Sequence, residues 1–229
     1  MATMQAAMVE YVDMLESLRR GAEVVYDSPD AMLLVDSGTY MLAAVDKESA
    51  LVALERFPVG ARNIVVRQEE LLPYLAERWN MTEYSKCVQV CYAAPTPPIV
   101  GGRFRISRPV EADWEAILAT YHLIPPEQLR LHFDSPDFFC AYDGDELVGY
   151  AGLHTEGALG MLYVFPAHRR QGVAEELTAY LVARQMSLGR YAYAHIFVDN
   201  AASLALQRKV NMSFANNSIW WVWNKESRA

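Results

Sequence analysis

Leu162-Tyr163-Val164-Phe165-Pro166-Ala167-His168-Arg169-Arg170-Gln171-Gly172-Val173-Ala174 is the stretch whose composition decides the fold. It opens on β-branched and aromatic residues, passes a proline, and runs through two arginines, a glutamine and a glycine into good helix formers. That order predicts a strand handing over to a helix through a short basic loop. The first N–H groups of such a helix have no partner within it, and the helix dipole puts positive partial charge at the same end. Such a place is suited to phosphate. Gly172 has no Cβ to hold a phosphate off, Ala174 keeps the first turn thin, and Arg169 or Arg170 adds charge-assisted hydrogen bonds. Glu175 and Glu176 suit the dipole but should face away from a bound anion.

The elements around this stretch are dense. Phe104–Ser107 is expected as a short strand, Glu111–Tyr121 as a helix, and Pro126–Phe133 as a helix opened by Pro125-Pro126. Phe138–Tyr142 and Leu147–Leu153 flank Asp143-Gly144-Asp145, a hairpin signal, and Glu156–Phe165 follows as a strand. Gly172–Leu188 is a long helix, Tyr191–Val198 a strand, Asn200–Val210 a helix and Ser218–Trp223 a last strand.

Arg169-x-x-Gly172-x-Ala174 has the form Arg/Gln-x-x-Gly-x-Gly/Ala, and with Val164 and Pro166 before it and Asn200-x-x-Ser203 about thirty residues on, it resembles the GCN5-related N-acetyltransferase (GNAT) superfamily. The resemblance covers most of residues 103–224, including Ile106–Asp113 and Val148-Gly149-Tyr150 after the hairpin. It implies an α/β fold of the α+β kind, with a mixed, mostly antiparallel sheet flanked by helices. It also implies acetyl-CoA, or another short acyl-CoA, as the donor. Tyr163, Val164 and Phe165 would lie beside the pantetheine arm, Arg169, Arg170, Gln171, Gly172, Val173 and Ala174 would cradle the pyrophosphate, and Asn200 and Ser203 would open the later helix beside pantetheine. By its own chemistry, Asn200 is equally suited to a plain helix cap.

Two departures bear on catalysis. Gln207 stands where many family members carry the tyrosine that protonates the leaving thiolate, and Gln has no proton to give at a useful pKa. Asn211-Met212 replaces the Gly-Phe that usually ends this helix. For a base, Glu156 is expected on the strand and face of Val164, two residues before Ala158, where family members often carry a glutamate; His154 is the second candidate. For each, a solvated hairpin residue is the favoured plain reading, since loop tips are normally polar. Gly157, Ala158 and Gly160 leave room for an acceptor or fit a bulge. The acceptor is expected to be a small amine, decided by Tyr121–Phe133 and this small-residue strand. A looser resemblance to glycine N-acyltransferases rests on the two-part layout and on Ile219-Trp220-Trp221-Val222-Trp223, whose tryptophans suit sheet packing. A non-catalytic acyl-CoA sensor, or an interaction module, is the rival expectation.

Upstream, Met4, Met8, Tyr11, Leu15 and Leu18 form an apolar stripe on an opening helix that ends near Gly21. Glu23–Tyr26, Ala31–Val35 and Tyr40–Val45 are expected as strands, Lys47–Phe57 as a helix, Asn63–Arg67 as a strand, Glu69–Trp79 as a helix and Cys87–Tyr92 as a strand. This smaller α/β half is compatible with a degenerate copy of the second, but it has no phosphate loop. Ala93–Pro98, then Gly101-Gly102, is the composition break, giving domains 1–98 and 99–229.

A net charge of −8 over 229 residues argues against nucleic acid or an anionic membrane as partner. Three cysteines make neither a disulfide framework nor a zinc site, and no metal is expected. Glu10, Asp13 and Glu16 exclude a signal peptide, no run suits a membrane span, and a cytoplasmic location follows as the expectation. A homodimer is left open.

Overall fold

The computed structural model describes residues 8–225. Met4 of the opening stripe lies outside the described residues. By compactness the described chain divides into two units, residues 8–90 with 195–201 and 214–225, and residues 91–194 with 202–213.

In the first unit, helix α1 (Met8–Arg19) precedes three strands, β1 (Glu23–Asp27), β2 (Ala31–Asp36) and β3 (Thr39–Ala44). Turn residues between them give an antiparallel meander, with Leu33 opposite Leu42. Helix α2 (Lys47–Leu54) starts where Asp46 Oδ1 accepts the Ser49 N–H at 2.8 Å, and carries the chain over to β4 (Asn63–Val66), which pairs with β3 in parallel. Helix α3 (Leu72–Trp79) stops at Asn80, which takes the left-handed conformation common after a helix, and β5 (Glu83–Cys91) follows. Leu33, Leu42, Leu54, Phe57, Ile64, Leu71 and Leu75 form its core. Beside it lies a buried polar network. Arg67 Nη2 meets Asp13 at 2.5 Å, and Trp221 Nε1 donates to His195 Nδ1 at 3.0 Å. Because Trp can only donate, His195 carries its proton on Nε2 and gives it to Gln89 Oε1 at 2.8 Å.

The second unit is built on a four-stranded antiparallel sheet in chain order: β6 (Arg105–Ser107), β7 (Phe138–Asp143), β8 (Glu146–Leu153) and β9 (Leu159–Val164). Helices α4 (Trp114–Leu118) and α5 (Pro126–Asp134) separate β6 from β7. After β9 come α6 (Val173–Ser187), β10 (Tyr193–Phe197), α7 (Ala201–Lys209) and β11 (Ser213–Trp223). Gly149 lets β9 and α6 close on β8, since a Cβ there would come 2.8 Å from the Tyr163 carbonyl and 3.0 Å from Val173 Cγ1. Tyr150, Phe138, Phe133, Ile117 and Leu129 fill the core between sheet and helices α4 and α5.

The remaining strands form a seven-stranded sheet in the order β1-β2-β3-β4-β11-β5-β10. Trp220 is opposite Val66 and Val222 opposite Ile64, so the tryptophan-rich strand pairs with β4. The linker composition marks a boundary at 98/99, whereas compactness divides the chain at Val90/Cys91 and assigns residues 195–201 and 214–225 to the first unit. Other differences are local. The strands expected at Cys87 and Ser218 begin earlier, at Glu83 and Ser213, because backbone pairing extends through residues that the apolar pattern does not mark. The helix expected over 111–121 is a 3-10 turn, Glu111–Asp113, followed by the short α4. Among the described residues, no helix is long and apolar enough to cross a membrane.

Candidate functional site

The chain leaves β9 at Val164, makes a 3-10 turn over Pro166–His168 and passes Arg169 in extended conformation. Arg170 has φ +64°, and Gly172, at the N-cap of α6, has φ +93°. The first helical bond at this end runs from the Glu176 N–H to the Gly172 carbonyl at 3.0 Å, so the N–H groups of Val173, Ala174 and Glu175 precede the ladder. A Cβ at Gly172 would meet no atom within 4 Å. The glycine faces open space.

The charges in this loop are sorted. Glu175 is paired with Lys209 of α7 at 2.6 Å. Glu176 is only 7% exposed and turns inward, where its two oxygens accept the N–H groups of Arg103 and Phe104 at 3.3 and 3.2 Å. Two nearby arginines have neutral partners instead. Arg169 Nε donates to the Val164 carbonyl at 3.2 Å and its guanidinium lies 5.8 Å from the Tyr163 ring. Arg103 donates to the carbonyl and the side-chain oxygen of Gln171. One first-turn carboxylate is therefore paired with a lysine and the other is turned inward onto backbone N–H groups, which leaves the outward side of the α6 N-terminus to an anionic ligand.

β9 is an edge strand of its sheet and bulged. Between the pairs Gly152–Gly160 and Tyr150–Tyr163, the residues Met161 and Leu162 face Ala151 alone, and Met161 has φ +50°. Such a bulge turns backbone N–H groups out of the ladder. The side chains of Tyr163 and Phe165 pack instead of projecting freely: Tyr163 stacks on Tyr150 at 5.5 Å and meets Phe165 edge-on at 5.4 Å. What this strand offers outward is its backbone edge.

The sequence puts Glu156 on the strand and face of Val164; the structure corrects this. Glu156 sits in the turn before β9, because the His154 N–H bonds to the Ala158 carbonyl at 2.8 Å, the Gly157 N–H to the His154 carbonyl at 2.9 Å, and Gly157 has φ +93°. Nor is Glu156 a solvated tip: it is 5% exposed, Thr155 Oγ1 donates to it at 3.4 Å, and the buried Tyr193 hydroxyl holds its carbonyl at 2.9 Å. His154 is half-buried, and its imidazole occupies the space that a side chain on Gly160 would fill. That accounts for a glycine which the sequence leaves divided between acceptor room and a bulge.

Two further groups converge here that sequence reasoning missed. His132, on α5, is held below the ordinary imidazole range by burial and then by His154, against the opposing pull of Glu156 and of a hydrogen bond to the Leu153 carbonyl. Tyr121 is pushed well above the usual phenol range by burial, with Tyr150 and Glu156 adding to it. Both lie in Tyr121–Phe133, the stretch to which the sequence assigns the acceptor, but their 11-residue spacing carries no signal by itself.

Asn200 is exposed, immediately before α7, and Ser203 is half-buried in the first turn of that helix. Gln207 is 5% exposed, and its Oε1 finds no partner among the described residues. Asn211 has φ +60° just past α7, a conformation that Asn tolerates, so the usual glycine is dispensable there. Ala158 is buried. Cys140 is wholly buried and pushed up to about 12 by desolvation, while Cys87 and Cys91 rise to about 12 and about 11 for the same reason. None is a ready nucleophile.

Residues 107–212 match the model of the acetyltransferase (GNAT) family. A solved Drosophila protein is similar to the chain at 16% identity, with 86% of this chain and 74% of that one covered and a TM-score of 0.63. A putative GNAT acetyltransferase from Novosphingobium aromaticivorans is similar at 16% identity, with 93% and 95% covered and a TM-score of 0.55. A GCN5-related N-acetyltransferase from Kribbella flavida is similar at 14% identity, with 96% of each chain covered and a TM-score of 0.57. The comparison with curated proteins found no match. Over residues 107–212 the chain is thus similar to the GNAT acetyltransferases, and the solved structures share its fold. Its fold is that of acetyltransferases which generally take acetyl-CoA or another acyl-CoA as donor.

Proposed function

We propose that the protein is an N-acyltransferase that moves an acetyl or other short acyl group from coenzyme A to a primary amine of a small molecule. One observation carries this: at the start of α6 one first-turn carboxylate is paired with Lys209 and the other is turned inward, while Arg103 and Arg169 beside them donate to neutral oxygens. Residues 99–229 would carry the chemistry, and residues 1–98 a supporting or partner-binding role.

Coenzyme A fits the residues present, because Gly172 leaves the space of its missing side chain open and the N–H groups of Val173 and Ala174 precede the ladder. Arg169, Arg170, Gln171, Gly172, Val173 and Ala174 would hold its phosphates. The outer edge at Tyr163, Val164 and Phe165 would take the pantetheine arm as an added strand, with Arg169 giving up the Val164 carbonyl. Asn200 and Ser203 are proposed as further pantetheine contacts. The group supplies an activated acyl thioester.

An ammonium has to lose a proton before its nitrogen can attack, and Glu156 is proposed to take it, with His154 passing it on. A buried carboxylate beside two imidazoles and a phenol also favours a cationic acceptor. N–H groups freed by the Met161–Leu162 bulge are suited to the oxygen that gains charge during transfer. Attack is direct in this proposal, since the three thiols are buried and protonated.

A second reading, a non-catalytic acyl-CoA sensor, is favoured by Gln207, which stands buried where a tyrosine acid would be expected. Titration calorimetry with acetyl-CoA tests binding, and thiol release against a panel of amines separates the two. No binding at millimolar acetyl-CoA would sink both readings, while binding without release on any amine would favour the sensor.

A further inference from the structure

Outside the motif, Arg103 reaches the loop from the segment that leads into β6. Its Nη1 donates to the Gln171 carbonyl at 3.1 Å and its Nη2 to Gln171 Oε1 at 3.3 Å. The base of this side chain is anchored by buried Glu176, which accepts the N–H groups of Arg103 and Phe104. Gly101 runs so close that a Cβ there would come 3.0 Å from Glu176 Oε2. The guanidinium also covers the Phe104 ring, 4.9 Å from its centroid. Among the described residues no carboxylate pairs with its guanidinium, whose hydrogen bonds go to Gln171.

In a planar trans peptide the C=O of one residue and the N–H of the next point in opposite directions. Gripping the Gln171 carbonyl from one side therefore turns the Gly172 N–H to the other. The cation also polarises the peptide and makes that N–H a stronger donor. Such a hold has something to fix, because Arg170 and Gly172, the residues on either side of Gln171, both take left-handed backbone conformations.

We propose that Arg103 is the positioning residue of the phosphate loop, holding the Gln171–Gly172 peptide so that the Gly172 N–H faces the ligand's phosphate. The inference rests on the coenzyme A reading above and adds to it a residue 66 positions before Arg169. Glu176 completes the device as the fixed post from which Arg103 reaches the loop.

The test uses two ligands, acetyl-CoA and S-acetylpantetheine, which is the same thioester without phosphates. Each is titrated into the wild-type chain, Arg103→Gln and Arg103→Lys, and kcat and KM are measured wherever turnover is seen. Arg103→Gln should weaken acetyl-CoA binding about tenfold, as expected for losing a hydrogen bond to a charged group. It should leave S-acetylpantetheine within about twofold on the same grounds, and raise the KM for acetyl-CoA without lowering kcat. Arg103→Lys, which keeps the charge and one donor, should lose about threefold. An unchanged affinity for acetyl-CoA, or an equal loss for both ligands, overturns the inference. If the wild-type chain binds neither ligand, the coenzyme A reading fails and takes this inference with it. If wild type binds acetyl-CoA and the Gln variant binds it equally well, the inference alone fails. Should Arg103→Gln not fold, the Lys variant carries the same comparison.

Discussion

Gly172→Ala separates the fold's need for a glycine from the ligand's. At φ +93° a Cβ is strained, and left-handed backbone costs a non-glycine residue about 1–2 kcal/mol. The added methyl meets no protein atom within 4 Å, so no steric cost is added to that figure. For a chain of this size the strain corresponds to a fall in Tm of about 2–8 °C, which leaves the protein folded at room temperature. The methyl would stand where the proposed phosphate approaches. Losing one charge-assisted hydrogen bond costs about 1.5–3 kcal/mol, or about 10- to 150-fold in Kd. The assay pairs thermal unfolding with calorimetric titration of acetyl-CoA on the same preparation. A folded variant that binds within about twofold of wild type would refute the cradle, given the size of the expected loss. Gly172→Glu, which adds charge as well as bulk, should abolish binding.

Glu156→Gln should lower kcat about a hundredfold or more at neutral pH if Glu156 accepts the ammonium proton, with acetyl-CoA affinity retained; an unchanged pH–rate profile would remove it from that role. His132 should make stability fall with acid. Its folded pKa is depressed, so the unfolded chain binds the proton more readily, and the stability present above the unfolded value, about 6.5, is lost as pH falls into the window below it. His132→Gln should flatten the Tm–pH curve there, and an identical acid limb in wild type and variant would contradict this. The three buried thiols should resist alkylation at neutral pH in the native state and react once the chain is unfolded; rapid native labelling of Cys140 with loss of activity would argue for a covalent route.

The strand-loop-helix unit proposed to hold phosphate was legible in the sequence because everything it needs is local. Strand, proline, arginines, Gly172 and helix follow one another within thirteen residues, and unpaired N–H groups at a helix start follow from helix geometry alone. The β7–β8 hairpin was legible for the same reason, since Asp143-Gly144 signals its turn without outside help. Glu156 was legible as a candidate, but its setting was not. Period-two alternation cannot tell the end of a strand from the turn before it, and burial of a turn depends on what packs over it, here Tyr193 from 37 residues further on.

The residues that the tertiary structure alone decided are those whose partners are distant. His132 and Tyr121 meet Glu156 only because α5 and the segment before it fold against the β8–β9 hairpin. Arg103 grips Gln171 across 68 residues, and β11 leaves its chain neighbours to pair with β4, more than 150 positions earlier. Sequence determines, through propensity and periodicity, which elements form and where a helix offers its N-terminus. Which strand pairs with which, and which charges end up beside each other, depends on closing long loops against entropy for the sake of packing that no local window contains. So the sequence by itself determined the strand-loop-helix unit, and only the folded chain decided how the charges around that loop are sorted and what surrounds Glu156.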